Sequence, residues 1–320
     1  MGDRFHLLQG LEPDGRVRPL VFDIGDARSL YFNFDGLQSS MKRGQPSVLD
    51  VDYTKTMMGF MLAKPQPEHI LMIGLGGGSL PKFCFHNLAA RITVVEVNPH
   101  VIALRDEFEV PADDDRFRVV RADGAAYVQN LPPIFDVMMI DGFDEVGQPP
   151  QLCSHEFYQD CYQALKPGGL MVVNLHSNPT FEPIRQSISE VFGGCVESVD
   201  AIEGGNCIVF ASKRASLSTR SMSLSWTLQN LNATAREQLA AEFQRILAML
   251  KRSGSACLNS IPRFISGLRA GCQRCRVVHG GGRRLRRTDR RGGQLGAHQG
   301  FHLTRPASTS ASRRSTLRPA

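Results

Sequence analysis

Residues 70–79, with the sequence Ile-Leu-Met-Ile-Gly-Leu-Gly-Gly-Gly-Ser, decide the fold of this 320-residue chain. The four apolar residues 70–73 predict a β-strand that is buried on both faces. Glycines follow where a helix should begin, and they allow positive φ angles and a close approach of a ligand to the backbone. The free N–H groups at the start of that helix suit polar or anionic groups. The stretch therefore predicts a strand, a ligand-binding turn and a helix.

An acid lies at the distance from this turn that a nucleoside site requires. Glu96 follows the next apolar run, residues 92–95, and stands 22 residues after Gly74. At that spacing a carboxylate can accept hydrogen bonds from both hydroxyls of a ribose. The alternative is an ordinary turn whose glycines serve packing alone. The combination of strand, glycines, helix, second strand and acid favours the nucleoside site.

Strand and helix patterns alternate from residue 69 to residue 175. The pattern predicts strands over 70–73, 92–96, 117–121, 135–140 and 170–175, and helices over 79–88, 99–107, 124–130 and 154–165. Such alternation is typical of a parallel sheet with right-handed crossovers and helices on both faces. Ligands of such sheets bind at the carboxyl ends of the strands. The glycine turn, Glu96, Asp123 and Asp141 all fall at such ends.

The flanking segments suggest four parts. Short strands, including one at 48–51, predict a small β module over residues 1–52. The main domain is expected over residues 53–213. It would begin with a helix at 53–63 and end with strands at 196–202 and 207–211. Residues 214–251 are expected to be a linker and an amphipathic helix over 233–251. Residues 252–320 are a basic, low-complexity tail for which we expect disorder.

Charge is distributed unevenly between these parts. The net charge is +6, but residues 252–320 contain 15 Arg, no Lys and one acid, so they carry +14 and residues 1–251 carry −8. An acidic folded part suits a cationic ligand better than nucleic acid, which leaves a nucleic-acid contact to the tail alone. The eight cysteines form no disulfide framework, and the chain has no apolar leader and no run of 18 apolar residues. We therefore expect a cytoplasmic protein without a membrane span.

Two carboxylates could perform chemistry at the predicted cleft. Asp141 follows the apolar strand 137–140, and Asp144 lies three residues later in the same loop. Two such acids can hold a protonated amine, remove its proton and orient its lone pair for attack. Asp141 could instead cap the loop or orient the ligand only. Asp123 could bind an adenine edge, cap the helix over 124–130, or do both.

Taken together, the motifs from about residue 35 to residue 211 resemble the spermidine synthase (polyamine aminopropyltransferase) family, in particular its bacterial spermidine synthase-like branch. The resemblance rests on Asp35-Gly36-Leu37-Gln38-Ser39, Tyr53, Ile73-Gly74-Leu75-Gly76-Gly77-Gly78, Val95-Glu96-Val97-Asn98, Ala122-Asp123-Gly124, Ile140-Asp141-Gly142-Phe143-Asp144, and Phe157-Tyr158 followed by Leu165-Lys166-Pro167-Gly168-Gly169. It implies an α/β fold, with a Rossmann-like, methyltransferase-type doubly wound sheet preceded by a small N-terminal β module.

The resemblance also implies an activity and a set of roles. An aminopropyl group would pass from decarboxylated S-adenosylmethionine, as co-substrate, to a small putrescine-like amine, with no prosthetic group and no metal. Homodimers are usual in the family. Asp141 would be the catalytic acid/base. The donor would contact Gln38, Gly74, Gly76, Gly77, Glu96, Asp123 and Gly124, and the amine would contact Tyr53, Asp144 and Tyr158.

The chain departs from the family pattern on the amine side. Gly77 stands where the family usually has an aspartate that anchors the donor's ammonium group, and residues 200–206 lack the expected tyrosine. Two alternatives therefore stay open. One is an S-adenosylmethionine-dependent methyltransferase, and the other is a nucleoside-binding homologue without turnover.

Overall fold

The computed structural model describes residues 12–33, 36–144, 146–203, 205–215, 217 and 223–259. A small antiparallel sheet precedes the main domain, with strands β1 (Leu20–Ile24), β2 (Ala27–Tyr31) and β3 (Leu37–Lys42) in that order. Asp35, the first residue of the motif at 35–39, lies outside the described residues. The predicted N-terminal β module is therefore present as a three-stranded sheet.

A seven-stranded sheet forms the centre of the protein. Its strands are β4 (His69–Ile73), β5 (Arg91–Glu96), β6 (Phe117–Arg121), β7 (Phe135–Ile140), β8 (Leu165–His176), β9 (Val196–Asp200) and β10 (Asn206–Ser212). Their order is β6-β5-β4-β7-β8-β10-β9. The first five strands are parallel, whereas β10 is antiparallel to both β8 and β9. The strands predicted at 196–202 and 207–211 are therefore present, and they extend the sheet at one edge as an antiparallel pair.

Helices cover both faces of this sheet. They are α1 (Asp52–Met57), α2 (Ser79–Asn87), α3 (Pro99–Ile102), α4 (Gly124–Val128), α5 (His155–Ala164), α6 (Phe181–Val191), α7 (Leu224–Gln229) and α8 (Ala233–Asn259), with 3-10 helices at Met58–Leu62 and Pro150–Leu152. Alternate residues of the central strands enter one of two cores. Ile70 and Met72 pack with α1, α2 and α8, whereas Leu71 and Ile73 pack with α4, α5 and α6. The predicted doubly wound α/β class is confirmed.

Some boundaries differ from the prediction. Residues 48–51 form no strand, because Leu49 is buried against α8 and its N–H donates to Gln238 Oε1 at 2.9 Å. The helix predicted over 99–107 ends at Ile102 and continues as turns. Helix α8 extends to Asn259, past the boundary predicted at residue 251. The predictions for residues 260–320 lie outside the described part of the chain.

The topology determines where a ligand can enter. Strand β4 lies between β5 and β7, so the chain leaves β4 toward one edge and later returns to its other side. This reversal opens a crevice at the carboxyl ends of β4 and β7. Within the described residues, no helix is both long and apolar enough to cross a membrane.

Candidate active site

A cavity at the carboxyl ends of the parallel strands has two neighbouring compartments. We call the first the glycine-turn compartment, which is lined by Gly74, Leu75, Gly76, Glu96, Asp123, Gly124 and Asp141, among others. We call the second the acidic compartment, because Asp50, Asp52, Asp144 and Glu203 line it together with Asn174, His176 and Asn206. Gln38, Tyr53, Phe143 and Asp144 belong to the walls of both compartments.

The glycine turn brings two strand ends close together. Gly74 has φ +99°, and a Cβ atom there would lie 2.3 Å from the backbone oxygen of Asp141. Because Gly74 lacks that atom, the Asp141 N–H can donate to the Ile73 carbonyl at 2.9 Å. Gly74 therefore positions the backbone of Asp141 as well as forming part of the cavity wall.

Gly77 was predicted to contact the donor, but it lies behind this wall and does not line the compartment. The wall of the turn is formed by Gly74, Leu75, Gly76 and Ser79. A Cβ atom at Gly77 would lie 2.7 Å from Ser39 Oγ and 2.8 Å from the Phe108 ring. A carboxylate side chain at this position would therefore require its neighbours to move.

Glu96 is held firmly beneath the turn. Its two carboxylate oxygens accept the N–H groups of Leu75 at 2.9 Å and of Asn98 at 2.8 Å. Burial raises the pKa of Glu96, and these N–H groups oppose that rise. Since each carboxylate oxygen has two acceptor sites, the oxygens retain capacity for ligand hydroxyls.

Asp123 caps α4, as predicted, and its side chain also lines the cavity. Its Oδ1 accepts the Ala126 N–H at 2.9 Å, and its Oδ2 accepts from Gln151 Nε2 at 3.3 Å. Gly124 follows in the wall, where a Cβ atom would lie 2.4 Å from Ile73 Cγ2. Only a residue without a side chain leaves this packing undisturbed.

Asp141 receives a hydrogen bond on each carboxylate oxygen. Asn174 Nδ2 donates to Oδ1 at 2.8 Å, and the Tyr53 hydroxyl donates to Oδ2 at 3.0 Å. Burial raises the pKa of Asp141 to about 6, although both hydrogen bonds act to lower it. Burial and the neighbouring Asp141 charge also raise the pKa of Tyr53. Asp141 is therefore a carboxylate of increased basicity that is mostly ionised at neutral pH.

The acidic compartment is suited to a cation. Asp144 Oδ1 accepts the N–H groups of Val146 and Gly147, both at 2.9 Å, which fixes the loop beside the cavity. Asp52 Oδ2 accepts the N–H of Ile202 at 2.7 Å. No Lys or Arg is among the described residues that line this compartment. An ammonium group would therefore find carboxylates without a competing cation in the wall.

Tyr158 lies elsewhere, so its predicted role in substrate binding is not supported. Its side chain is fully buried in the core formed with α4 and α6, and it lines neither compartment. Helix periodicity at α5 turns this residue toward the sheet rather than toward the strand ends. Sequence reasoning also missed Asn174 and Asn206. Asn174 lies near the carboxyl end of β8, and the strand-end rule could have identified it.

Comparison with known proteins identifies relatives. The spermine/spermidine synthase domain family matches residues 51–199. The polyamine aminopropyltransferase of Chromobacterium violaceum is 37% identical over 211 residues, which cover 62% of this chain and 81% of the relative. That of Neisseria meningitidis serogroup A is 34% identical over 253 residues, covering 75% of this chain and 95% of the relative.

A solved structure shares the fold. It is described as a probable spermidine synthase from Corynebacterium glutamicum, with a TM-score of 0.52 and 20% identity over 70% of this chain and 90% of that one. At this identity the match shows the fold alone. The sequence relatives go further, because the alignment spans most of their length. The chain therefore belongs to the spermine/spermidine synthase family of transferases, whose curated relatives are named polyamine aminopropyltransferases.

Proposed function

We propose that this protein transfers the aminopropyl group of decarboxylated S-adenosylmethionine to a small, putrescine-like amine, with Asp141 as the acid/base residue. The observation that carries the proposal is the position of Asp141, whose carboxylate lies between Tyr53 and Asn174 beside the acidic compartment. Family membership supports aminopropyl transfer, and the geometry supports the assignment of roles.

The glycine-turn compartment would hold the nucleoside part of the donor. Glu96 would accept the ribose hydroxyls, and Asp123 with Gly124 would contact the adenine. Gln38, on β3, would contact the donor from the opposite wall, because it lines this compartment. Gly74 and Gly76 would allow the donor to approach the turn closely.

The acidic compartment would hold the acceptor. Asp144 would bind its ammonium group, and Tyr53 would contact the amine from the shared wall. An alkyl ammonium is protonated at neutral pH and has no lone pair for attack. Asp141 would accept its proton, which leaves a neutral amine held next to the donor.

The bond changes balance without a further reactant. The amine nitrogen forms a bond to the propyl carbon attached to the sulfonium sulfur, and the carbon–sulfur bond breaks with its electron pair going to sulfur. The sulfonium charge disappears, and methylthioadenosine leaves. The second proton on the new secondary ammonium group remains with the product or passes to solvent.

One observation favours a second candidate, S-adenosylmethionine-dependent methyl transfer. The wall formed by Gly74, Leu75, Gly76 and Ser79 contains no carboxylate, and one at position 77 would require its neighbours to move. The carboxylate of intact S-adenosylmethionine would therefore meet no carboxylate from the turn residues themselves.

Donor choice separates the two candidates. Calorimetry should show binding of decarboxylated S-adenosylmethionine and of methylthioadenosine, and mass spectrometry should show an aminopropylated product with putrescine. Tight binding of intact S-adenosylmethionine together with no binding of the decarboxylated form would overturn the proposal.

The role of Asp141 has its own test. Asp141→Asn should lower turnover by at least about 100-fold, because the base is lost. Methylthioadenosine affinity should stay within about tenfold of the wild type, since the nucleoside contacts remain. Turnover at the wild-type rate would remove Asp141 from the acid/base role.

A further inference from the structure

Two side-chain amides form a chain behind Asp141. Asn174 Nδ2 donates to Asp141 Oδ1 at 2.8 Å, and Asn206 Nδ2 donates to Asn174 Oδ1 at 2.9 Å. Asn174 is only 2% exposed and lies on β8, and Asn206 begins the adjacent strand β10. Because β8 and β10 are paired in register, their backbone holds the two amides at a fixed separation.

The chemistry of the three groups permits one orientation. An ionised Asp141 only accepts, so Asn174 must present its NH₂ group to Asp141. The carbonyl oxygen of Asn174 then points the other way and needs a donor. Asn206 supplies that donor. The Asn206 amide therefore stabilises the orientation of Asn174 that Asp141 requires.

We propose that Asn206 is a positioning residue that acts through Asn174, keeping the NH₂ group of Asn174 directed at Asp141 and so keeping Asp141 ionised and aimed at the acceptor. This inference rests on the proposed function, since it deepens the acid/base role of Asp141. Asn206 is not assigned direct contact with the reacting atoms.

We call Asn174 and Asn206 together the relay. A neutral relay suits this site better than a cation would. A Lys or Arg in place of Asn174 would stabilise the carboxylate more strongly, but it would make Asp141 a weaker base and would repel the incoming ammonium group. The amide dipoles of Asn174 and Asn206 stabilise the charge of the Asp141 carboxylate without adding a positive charge to the site. The described lining of the acidic compartment accordingly contains no Lys or Arg.

Other titratable groups face the relay and must be separated from its effect. Tyr53 contacts Asp141 directly, and Arg16, Glu96 and Asp123 line the glycine-turn compartment with it. Asp144 lines both compartments, whereas Asp50, Asp52, His176 and Glu203 line the acidic compartment alongside Asn206. A substitution at Asn206 therefore needs a control for direct charge effects as well as for loss of the relay.

The central variant is Asn206→Asp, which keeps the size but only accepts when ionised. Asn174 should rotate its NH₂ group toward the new carboxylate and present its oxygen to Asp141. We expect the acid limb of the kcat/KM profile to move up by about one pH unit or more. Asn206→Leu, which removes the donor without adding charge, should move it less and in the same direction. Asn206→Leu also tests the proposal if Asn206→Asp does not fold.

Two controls isolate the relay. Asn178→Asp adds the same charge at an exposed position outside the cavity, and it should leave the profile unchanged. In an Asn174→Ala background, Asn206→Asp should no longer shift the profile, because the mediator is absent. A shift of full size in that background would show a direct charge effect and would overturn the inference.

A readout independent of activity separates this inference from the proposed function. The Asp141 carboxyl can be titrated by ¹³C NMR in labelled protein, with its signal assigned from Asp141→Asn. If the Asp141 pKa rises in both Asn206 variants and the activity profile follows it, both ideas are supported. If the Asp141 pKa does not move in either variant, the relay is overturned. If the pKa moves but activity ignores it, the relay stands and the acid/base role of Asp141 fails.

Discussion

Replacing Asp141 by asparagine should stabilise the protein at neutral pH, in addition to lowering its turnover. The carboxylate is partly removed from water, and burial raises its pKa from the ordinary 3.8 to about 6. An acid whose pKa is higher in the folded protein disfavours folding when it is ionised. Its penalty is absent below pH 3.8 and is complete above pH 6. Asparagine has no charge to bury, so it escapes this penalty.

The size of the effect follows from the shift in pKa. About 2 pKa units correspond to about 3 kcal/mol between the extremes of pH. Asp141 lines a cavity, so water screens part of this energy. We therefore expect the stability advantage of the variant to widen by about 1–2 kcal/mol between pH 4.5 and pH 8.

Urea unfolding of both proteins over this pH range measures the advantage. The difference in the free energy of unfolding between variant and wild type cancels the titration of all other groups. A constant offset from altered hydrogen bonds does not affect how this difference changes with pH. Asp106→Asn, at an exposed position, controls for the loss of one negative charge. An advantage that stays constant from pH 4.5 to pH 8 would refute the reasoning.

Three further perturbations test other parts of the site and the fold. Gly74→Ala should lower the free energy of unfolding in urea by about 1–3 kcal/mol more than Gly44→Ala does. Both glycines have positive φ, but only at Gly74 would a Cβ atom lie against a backbone oxygen. Equal losses of stability would refute this. Glu96→Gln should weaken methylthioadenosine binding about tenfold in calorimetry, because the new NH₂ group would face backbone donors. Unchanged affinity would contradict the proposal that Glu96 binds the ribose hydroxyls. Removal of residues 260–320 should leave the unfolding midpoint and activity unchanged, because both core clusters are retained; insoluble protein would contradict that expectation.

Local sequence patterns were sufficient to predict the class of fold and the residues along one edge of the site. Runs of apolar residues that alternate with helical segments predict a parallel sheet, and parallel strands present their carboxyl ends at one edge. Glu96, Asp123 and Asp141 were placed at this edge by the rule, and all three line the glycine-turn compartment. Prediction succeeded because strand direction and side-chain alternation are properties of neighbouring residues.

Patterns failed where distant parts of the chain decide the environment of a residue. The apolar character of Leu49 reflects its burial against α8 rather than strand pairing. Tyr158 belongs to a family motif, but the packing of α5 turns it into the core. A motif indicates which residues occur together, and it does not determine which side of a helix meets the cavity.

The sequence by itself determined the doubly wound sheet, the glycine turn and the acids at the strand ends, because each depends on the order of apolar and polar residues over short stretches. Only the tertiary structure decided the surroundings of Asp141. Tyr53 reaches it from 88 residues away and Asn174 from 33, and Asn206 orients Asn174 across a strand pair. Single polar side chains have no periodicity, so the hydrogen bonds that set the basicity of Asp141 arise only when the strands and α1 come together.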